Sequence, residues 1–169
     1  MSVERRNGLR WIVAHSRPRC EKKIAAYRTR ESIAYQLPLF RSVKKYRGKT
    51  VVFFKPLFPG YIFIEVDPGS GARGHLNQNN HVAYLLDPPD QAEFAAQLGA
   101  ILKALETERE VRLVPYIKEG ERVTIKNGPL SGLEGIVLRR NGSFDVVLRL
   151  DFIGQAAALS VSAEELELC

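Results

Sequence analysis

Cysteine is nearly absent from this chain: among 169 residues there are only Cys20 and Cys169, far apart in sequence. A disulfide scaffold needs more, so a reducing, cytoplasmic setting is expected. The three histidines, His15, His75 and His81, have no cysteine or carboxylate at metal-ligand spacing, and no metal site is expected. Gly69, Gly71 and Gly74 lie close together but lack the Lys-Ser/Thr pair and the helix that complete a phosphate-cradling loop. Glu164 and Glu165 are adjacent and would diverge on a strand, whereas a catalytic carboxylate pair must converge. No apolar run approaches the roughly 20 residues of a membrane span, and the polar, basic start of the chain does not read as a secretory signal. These absences predict a binding protein rather than an enzyme, with no cofactor and no membrane partner.

What is present is a core and an uneven charge. Hydrophobic residues make up 45% of the chain, enough for one ordinary domain or two small ones. Net charge is +6, but residues 1–66 carry 15 Lys/Arg against 4 Asp/Glu, and residues 67–169 carry 10 against 15. Such asymmetry fits an N-terminal module that binds a polyanion, with a neutral or acidic companion.

The pattern divides the chain in two. Trp11 to Ala14 reads as a first strand, and Pro18 introduces a helix over Arg19 to Glu31. Cys20, Ile24 and Tyr27 share one helical face, and Arg19, Lys23 and Arg30 form a neighbouring basic stripe. Short strands are expected at 33–37, 42–46 and 50–54, the last two joined at Arg47-Gly48-Lys49 as a hairpin. After a strand at Tyr61–Val66, residues 67–74 are turn-rich and expected to be mobile. A strand at Val82–Leu86 follows, and Asp90 caps a helix with Phe94, Leu98, Ile101, Leu102 and Leu105 on one face. Two helices among antiparallel strands give an α+β sandwich over 9–106. Residues 107–118 read as a linker. Beyond it, about five short strands with tight loops over 119–169 suit a small barrel.

The most informative stretch is Pro56-Leu57-Phe58-Pro59-Gly60-Tyr61-Ile62-Phe63-Ile64. Alternation puts Ile62, Ile64 and Val66 on one face and Tyr61, Phe63 and Glu65 on the other. The aromatic face needs cover, either from within the protein or from a partner. A second constellation runs from Val123 to Val137, a strand, a turn opened by Gly128, a break at Gly132 and a return strand after Gly135.

The second block is similar to a KOW motif. The first, with Trp11, Arg47-Gly48-Lys49 and the Pro-Leu-Phe-Pro-Gly-Tyr run, resembles the NGN domain of the NusG/RfaH transcription elongation factors, and the two domains stand in that family's order. The resemblance implies an NGN α/β sandwich followed by an SH3-like KOW β-barrel, in a monomeric, non-enzymatic factor that rides on RNA polymerase. Its apolar patch would dock on the clamp helices of the largest catalytic subunit through His15, Phe58, Tyr61, Phe63 and Leu85. Arg19, Lys23, Tyr27 and Arg30 match the family's contacts to non-template DNA. Ala72, Arg73 and Gly74 match the loop that touches the polymerase gate loop, without the threonine-rich form found there.

In the KOW domain, Phe152, Ile153, Gly154 and Gln155 stand where the housekeeping factor has a Phe-Gly-Arg loop for Rho or a small-subunit ribosomal protein. The missing arginine and the form of the first motif resemble specialised antiterminators more than the housekeeping factor. A ribosome-associated or RNA-binding KOW protein is disfavoured, since residues 119–169 carry five basic residues against eight acidic ones.

Overall fold

The computed structural model describes residues 8–30, 34–140 and 143–169, with residues 28–30 and 140 described in backbone only. Contacts divide the chain into two units. One contains the described residues of 8–38 together with Phe58–Ala96; the other contains Leu39–Leu57 and Gln97–Cys169.

The first unit is built on a four-stranded antiparallel sheet. Strand β1 (Arg10–Ser16) is flanked by β5 (Tyr61–Val66) and β6 (Val82–Leu86), and β2 (Tyr35–Gln36) pairs with the outer edge of β5. The strand at 33–37 is thus reduced to two residues, and Ile33 lies outside the described residues. The β-branched face behaves as the alternation predicts. Ile12, Ala14, Ile62, Ile64 and Val66 are buried there with Ile24 and Ala25 of helix α1 (Glu21–Arg30) and with Ala72 and Leu76 of helix α2 (Ala72–Asn77).

Helix α2 begins inside the turn-rich stretch expected at 67–74, of which 67–71 stays outside the helix. Asp67 accepts the Gly69 N–H at 3.0 Å and the Ser70 N–H at 3.0 Å, and Ala72 and Leu76 then bury on the sheet. Two apolar residues at i and i+4 are enough to fix one helical turn on a core. The opposite face of the sheet meets the start of helix α3 (Gln91–Leu105). Asp90 caps it as expected, its carboxylate accepting the Glu93 N–H at 3.0 Å.

The second unit holds a two-stranded hairpin, β3 (Leu39–Tyr46) with β4 (Lys49–Pro56), longer at both ends than the sequence suggests. It also holds a six-stranded antiparallel sheet in the order β12-β8-β9-β10-β11-β7. Its members are β7 (Val111–Val114), β8 (Arg122–Ile125), β9 (Glu134–Arg140), β10 (Ser143–Leu150), β11 (Gln155–Val161) and β12 (Leu166–Leu168). Gly128 and Gly132 both adopt left-handed backbone, as the turns between β8 and β9 require.

Strand β7 corrects the expected linker at 107–118. Val111–Val114 pairs with Ala156–Leu159 of β11, and polar contacts hold the stretch to the sheet. Arg109 donates to the Ser160 carbonyl at 3.0 Å and pairs with Glu165, and Arg112 pairs with the buried Asp145 of β10. The alternation of Val111 and Leu113 is a strand signal hidden among charges whose partners lie far along the chain.

Candidate functional site

The aromatic face of the first sheet is divided along its length. At one end it is closed from within. Phe63 is fully buried, edge-on to Phe58 at 6.3 Å and to Phe94 of α3 at 5.7 Å, and Trp11 lies 6.0 Å from Phe94. The helix is fixed in place by Gln91, buried, whose amide oxygen accepts the Trp11 N–H at 2.6 Å. Its NH2 donates to the carbonyls of Trp11 and Pro88, each at 2.9 Å. The expectation that Phe58 and Phe63 form a docking patch is therefore corrected: both are core, because α3 supplies the cover that the strand needed. Leu85 is corrected too, since it packs with the β-branched core on the other face.

At the other end the face is open. His15 is the direct cross-strand neighbour of Tyr61 on β5 and of Tyr84 on β6. Its ring stacks on Tyr84 at 4.6 Å and 8°, and meets Tyr61 edge-on at 5.0 Å. Nδ1 of His15 is buried without a hydrogen-bond partner, so ring contacts hold the imidazole. Tyr84 is 47% exposed, and His15 and Tyr61 are half-buried. Burial, helped by the neighbouring Tyr84, raises the Tyr61 phenol above its ordinary pKa, so it remains a hydroxyl donor at neutral pH. The Pro59-Gly60 turn supports this end: Ser16 N–H donates to the Gly60 carbonyl at 2.7 Å, and Gly60 N–H donates to Glu21 of α1 at 2.9 Å. Tyr84 has no signal in the sequence. Only the pairing of β6 with β1 brings it onto His15, and that pairing has no signature within five residues of strand.

The basic stripe is only partly realised. Arg19 precedes α1, in left-handed backbone and exposed, while Lys23 lies exposed on the helix and the Arg30 side chain lies outside the described residues. Lys23 and Tyr27 line an open cavity of about 400 Å³ with His75, Gln78, Asn79, Asn80 and His81 from α2 and the loop after it. Sequence spacing gives these two histidines and the amides no role; what gathers them is the packing of α1 and α2 on one sheet. The resulting lining offers imidazole and carboxamide donors and acceptors, a phenol ring and one ammonium.

Ala72, Arg73 and Gly74 are not a loop. They open α2, with Ala72 buried and Arg73 paired with Asp87. In the second unit, Phe152 and Ile153 are half-buried in a 3-10 turn (Asp151–Ile153), Gly154 adopts left-handed backbone, and Gln155 begins β11. The turn is held by Asp151, which accepts from Gln97 of α3 at 2.7 Å and from the Tyr116 hydroxyl at 2.7 Å. Its own N–H donates back to Gln97 at 2.9 Å. Burial pushes the Asp151 carboxyl up, but those hydrogen bonds and the charges of Arg149 and Lys118 outweigh it and hold it below the usual carboxylate range.

A carboxyl depressed on folding adds stability above its unfolded value and loses it as pH falls through the folded one. Stability of this unit should therefore decline in acid below the ordinary Asp value of 3.8. Asp151→Asn should flatten that part of the profile, measured by hydrogen exchange over β10 and β11 between neutral and acid pH. An unchanged acid slope in the variant would argue against the role given to Asp151.

Among the described residues, no group of three or more His, Cys, Asp or Glu is placed to hold a metal ion, and no helix is long and apolar enough to cross a membrane. The whole chain resembles the solved structure described as "Domain interaction in Thermotoga maritima NusG", at 17% identity and a TM-score of 0.53, over 95% of this chain and 97% of that one. It also aligns with "Crystal Structure of MjSpt4:Spt5 complex conformation A" at 16% identity over 94% and 97%, where a TM-score of 0.30 is too low to speak to the fold. Residues 9–96, more than half the chain and nearly the same span as the sheet, its two small helices and the start of α3, match the family model for NusG, described as transcription termination factor nusG, and the chain belongs to that family of transcription factors.

Proposed function

We propose that this protein is an elongation and antitermination factor that docks on the clamp helices of RNA polymerase through the open aromatic end of its first sheet. The observation that carries this is the division of the aromatic face: α3 covers Phe63 and Trp11 and leaves His15, with Tyr61 and Tyr84 against its ring, open to solvent. Exposed aromatics with a hydroxyl donor are typical anchors of an interface. Bound across the clamp, the factor would favour the closed state over the open, paused one, which needs only a difference in affinity for the two.

Lys23 and Tyr27, with Arg19 and Arg30, would meet non-template DNA. The cavity beside Lys23 and Tyr27 supports that role, since a planar base presents edges for carboxamides and a face for a phenol. The six-stranded sheet would be the SH3-like KOW barrel, with Phe152 to Gln155 facing a partner in the cytoplasm. Because Gln155 stands where the housekeeping factor has arginine, the specialised subgroup is favoured over one that couples to Rho or the ribosome.

The test is the affinity of the purified full chain for RNA polymerase. Tyr61→Ala and Tyr84→Ala should each weaken binding by roughly 30-fold, the equivalent of a 2 kcal/mol hot spot, with unchanged circular dichroism. Wild-type affinity in both folded variants would remove the clamp assignment.

A further inference from the structure

The β3–β4 hairpin belongs neither to the aromatic cluster nor to the α1 surface. Its 18 residues carry Arg41, Lys44, Lys45, Arg47, Lys49 and Lys55 and not one Asp or Glu. Among the described residues the two strands pair only with each other, over eight registered positions from Leu39↔Pro56 to Tyr46↔Lys49. At about 3.4 Å per residue the ribbon is about 27 Å long. It ends in a two-residue turn, with Arg47 at φ 47° and Gly48 at φ 76°. Positive φ at both positions marks a type I′ turn, the form whose twist matches a tight ribbon.

The ribbon also exposes apolar surface. Val43, Tyr46, Val52, Phe53 and Phe54 are between 38% and 67% exposed, and they make up most of the exposed large hydrophobics among the described residues. Cations and apolar groups are mixed on both faces. One face carries the pairs Arg41/Phe54, Val43/Val52 and Lys45/Thr50, the other Ser42/Phe53, Lys44/Val51 and Tyr46/Lys49. A membrane-seeking hairpin would gather its apolar residues on one face or at the tip. Here the tip is cationic, with the Arg47 guanidinium over the Tyr46 ring at 5.8 Å.

The charge is also crowded. The Lys44 side chain crowded beside it, and that neighbour's positive charge, lower the Lys55 ammonium below the ordinary lysine pKa. Like charges drawn together with no acid in the element are relieved by an anion from outside. Six cations spread along the ribbon with no acid among them fit a long polyanion that has apolar surface of its own.

We propose that the β3–β4 hairpin is a second nucleic-acid contact, a ribbon that lies in a groove of double-stranded DNA with its cations on the phosphates and Phe53 and Phe54 against sugars or base edges. A duplex carries one charge per about 1.7 Å of axis, and its major groove admits a two-stranded β-ribbon. The arrangement is independent of the clamp proposal, because none of its residues belongs to the aromatic cluster or to the α1 stripe.

The experiment measures binding of the full chain to a labelled DNA duplex of unrelated sequence, across salt from about 50 to 200 mM. The hairpin variant replaces Lys44, Lys45, Arg47 and Lys49 with glutamine, and a second variant carries Arg19→Gln and Lys23→Gln. The hairpin variant should flatten the log–log salt slope by about 0.9 for each phosphate it no longer neutralises, so by about 3.6 for four, with its circular dichroism unchanged. Phe53→Ala should weaken binding without moving the slope. Wild-type affinity and slope in the folded hairpin variant would overturn the proposal. So would loss of duplex binding in the second variant alone, or binding to phosphatidylserine vesicles with none to the duplex.

Discussion

Phe63→Ala is expected to destabilise the first unit by about 3–5 kcal/mol, the usual cost of deleting a buried aromatic side chain and leaving its cavity. Phe63 is fully buried and touches two rings, Phe58 and Phe94, so removing it opens the joint between β5 and α3 from both sides. Trp11 is the only tryptophan in the chain and sits beside Phe94, which makes its fluorescence a reporter of this joint. In urea the Trp11 transition should move to a lower midpoint with little change in slope. A wild-type midpoint would mean that the ring is not part of the core. The same result governs how docking experiments are interpreted: a Phe63 variant that fails to bind polymerase reports lost folding, whereas Tyr61 and Tyr84 variants report the surface.

Arg112→Met should be nearly as damaging to the second unit. Asp145 is almost fully buried in β10, and its charge is met by Arg112 of β7 and by the Ser160 hydroxyl at 3.1 Å. Removing one partner of a buried pair costs about 3–5 kcal/mol, because the remaining charge stays desolvated. The Ser160 hydrogen bond remains, which puts the expected loss toward the lower end. Trp11 lies in the other unit, so hydrogen exchange over β10 and β11 is the suitable measurement. Adding Asp145→Leu to Arg112→Met should recover much of the loss, since an apolar pair needs no hydration. Unchanged protection in Arg112→Met would show that β7 is not tied to the sheet through this pair.

These variants also mark where sequence reasoning was sufficient and where it was not. Strands β5 and β6 carry the bounds that alternation and turn residues imply, and the start of α3 follows from Asp90. Such signals are local, a period of two or a cap three residues away. Strand β7 and helix α2 escaped because their support is remote. Val111–Val114 reads as a charged connection until β11 pairs with it, and the end of the turn-rich stretch 67–74 shows no helix until the core receives Ala72 and Leu76.

The candidate site follows the same division. The sequence by itself determined that β5 has one β-branched and one aromatic face, that the first part of the chain is strongly basic, and that a tight glycine-turned β-module follows. It determined these because side-chain alternation and charge are properties of neighbours along the chain. Which aromatics are core and which are surface was decided only by where α3 lies. Phe94 reaches Phe63 and Trp11 and stops short of the other end, so Phe63 is consumed by packing while Tyr61 is left beside His15 and Tyr84. Alternation assigns a side chain to a face, but burial depends on what packs against that face from elsewhere in the chain, and only the tertiary structure supplies that.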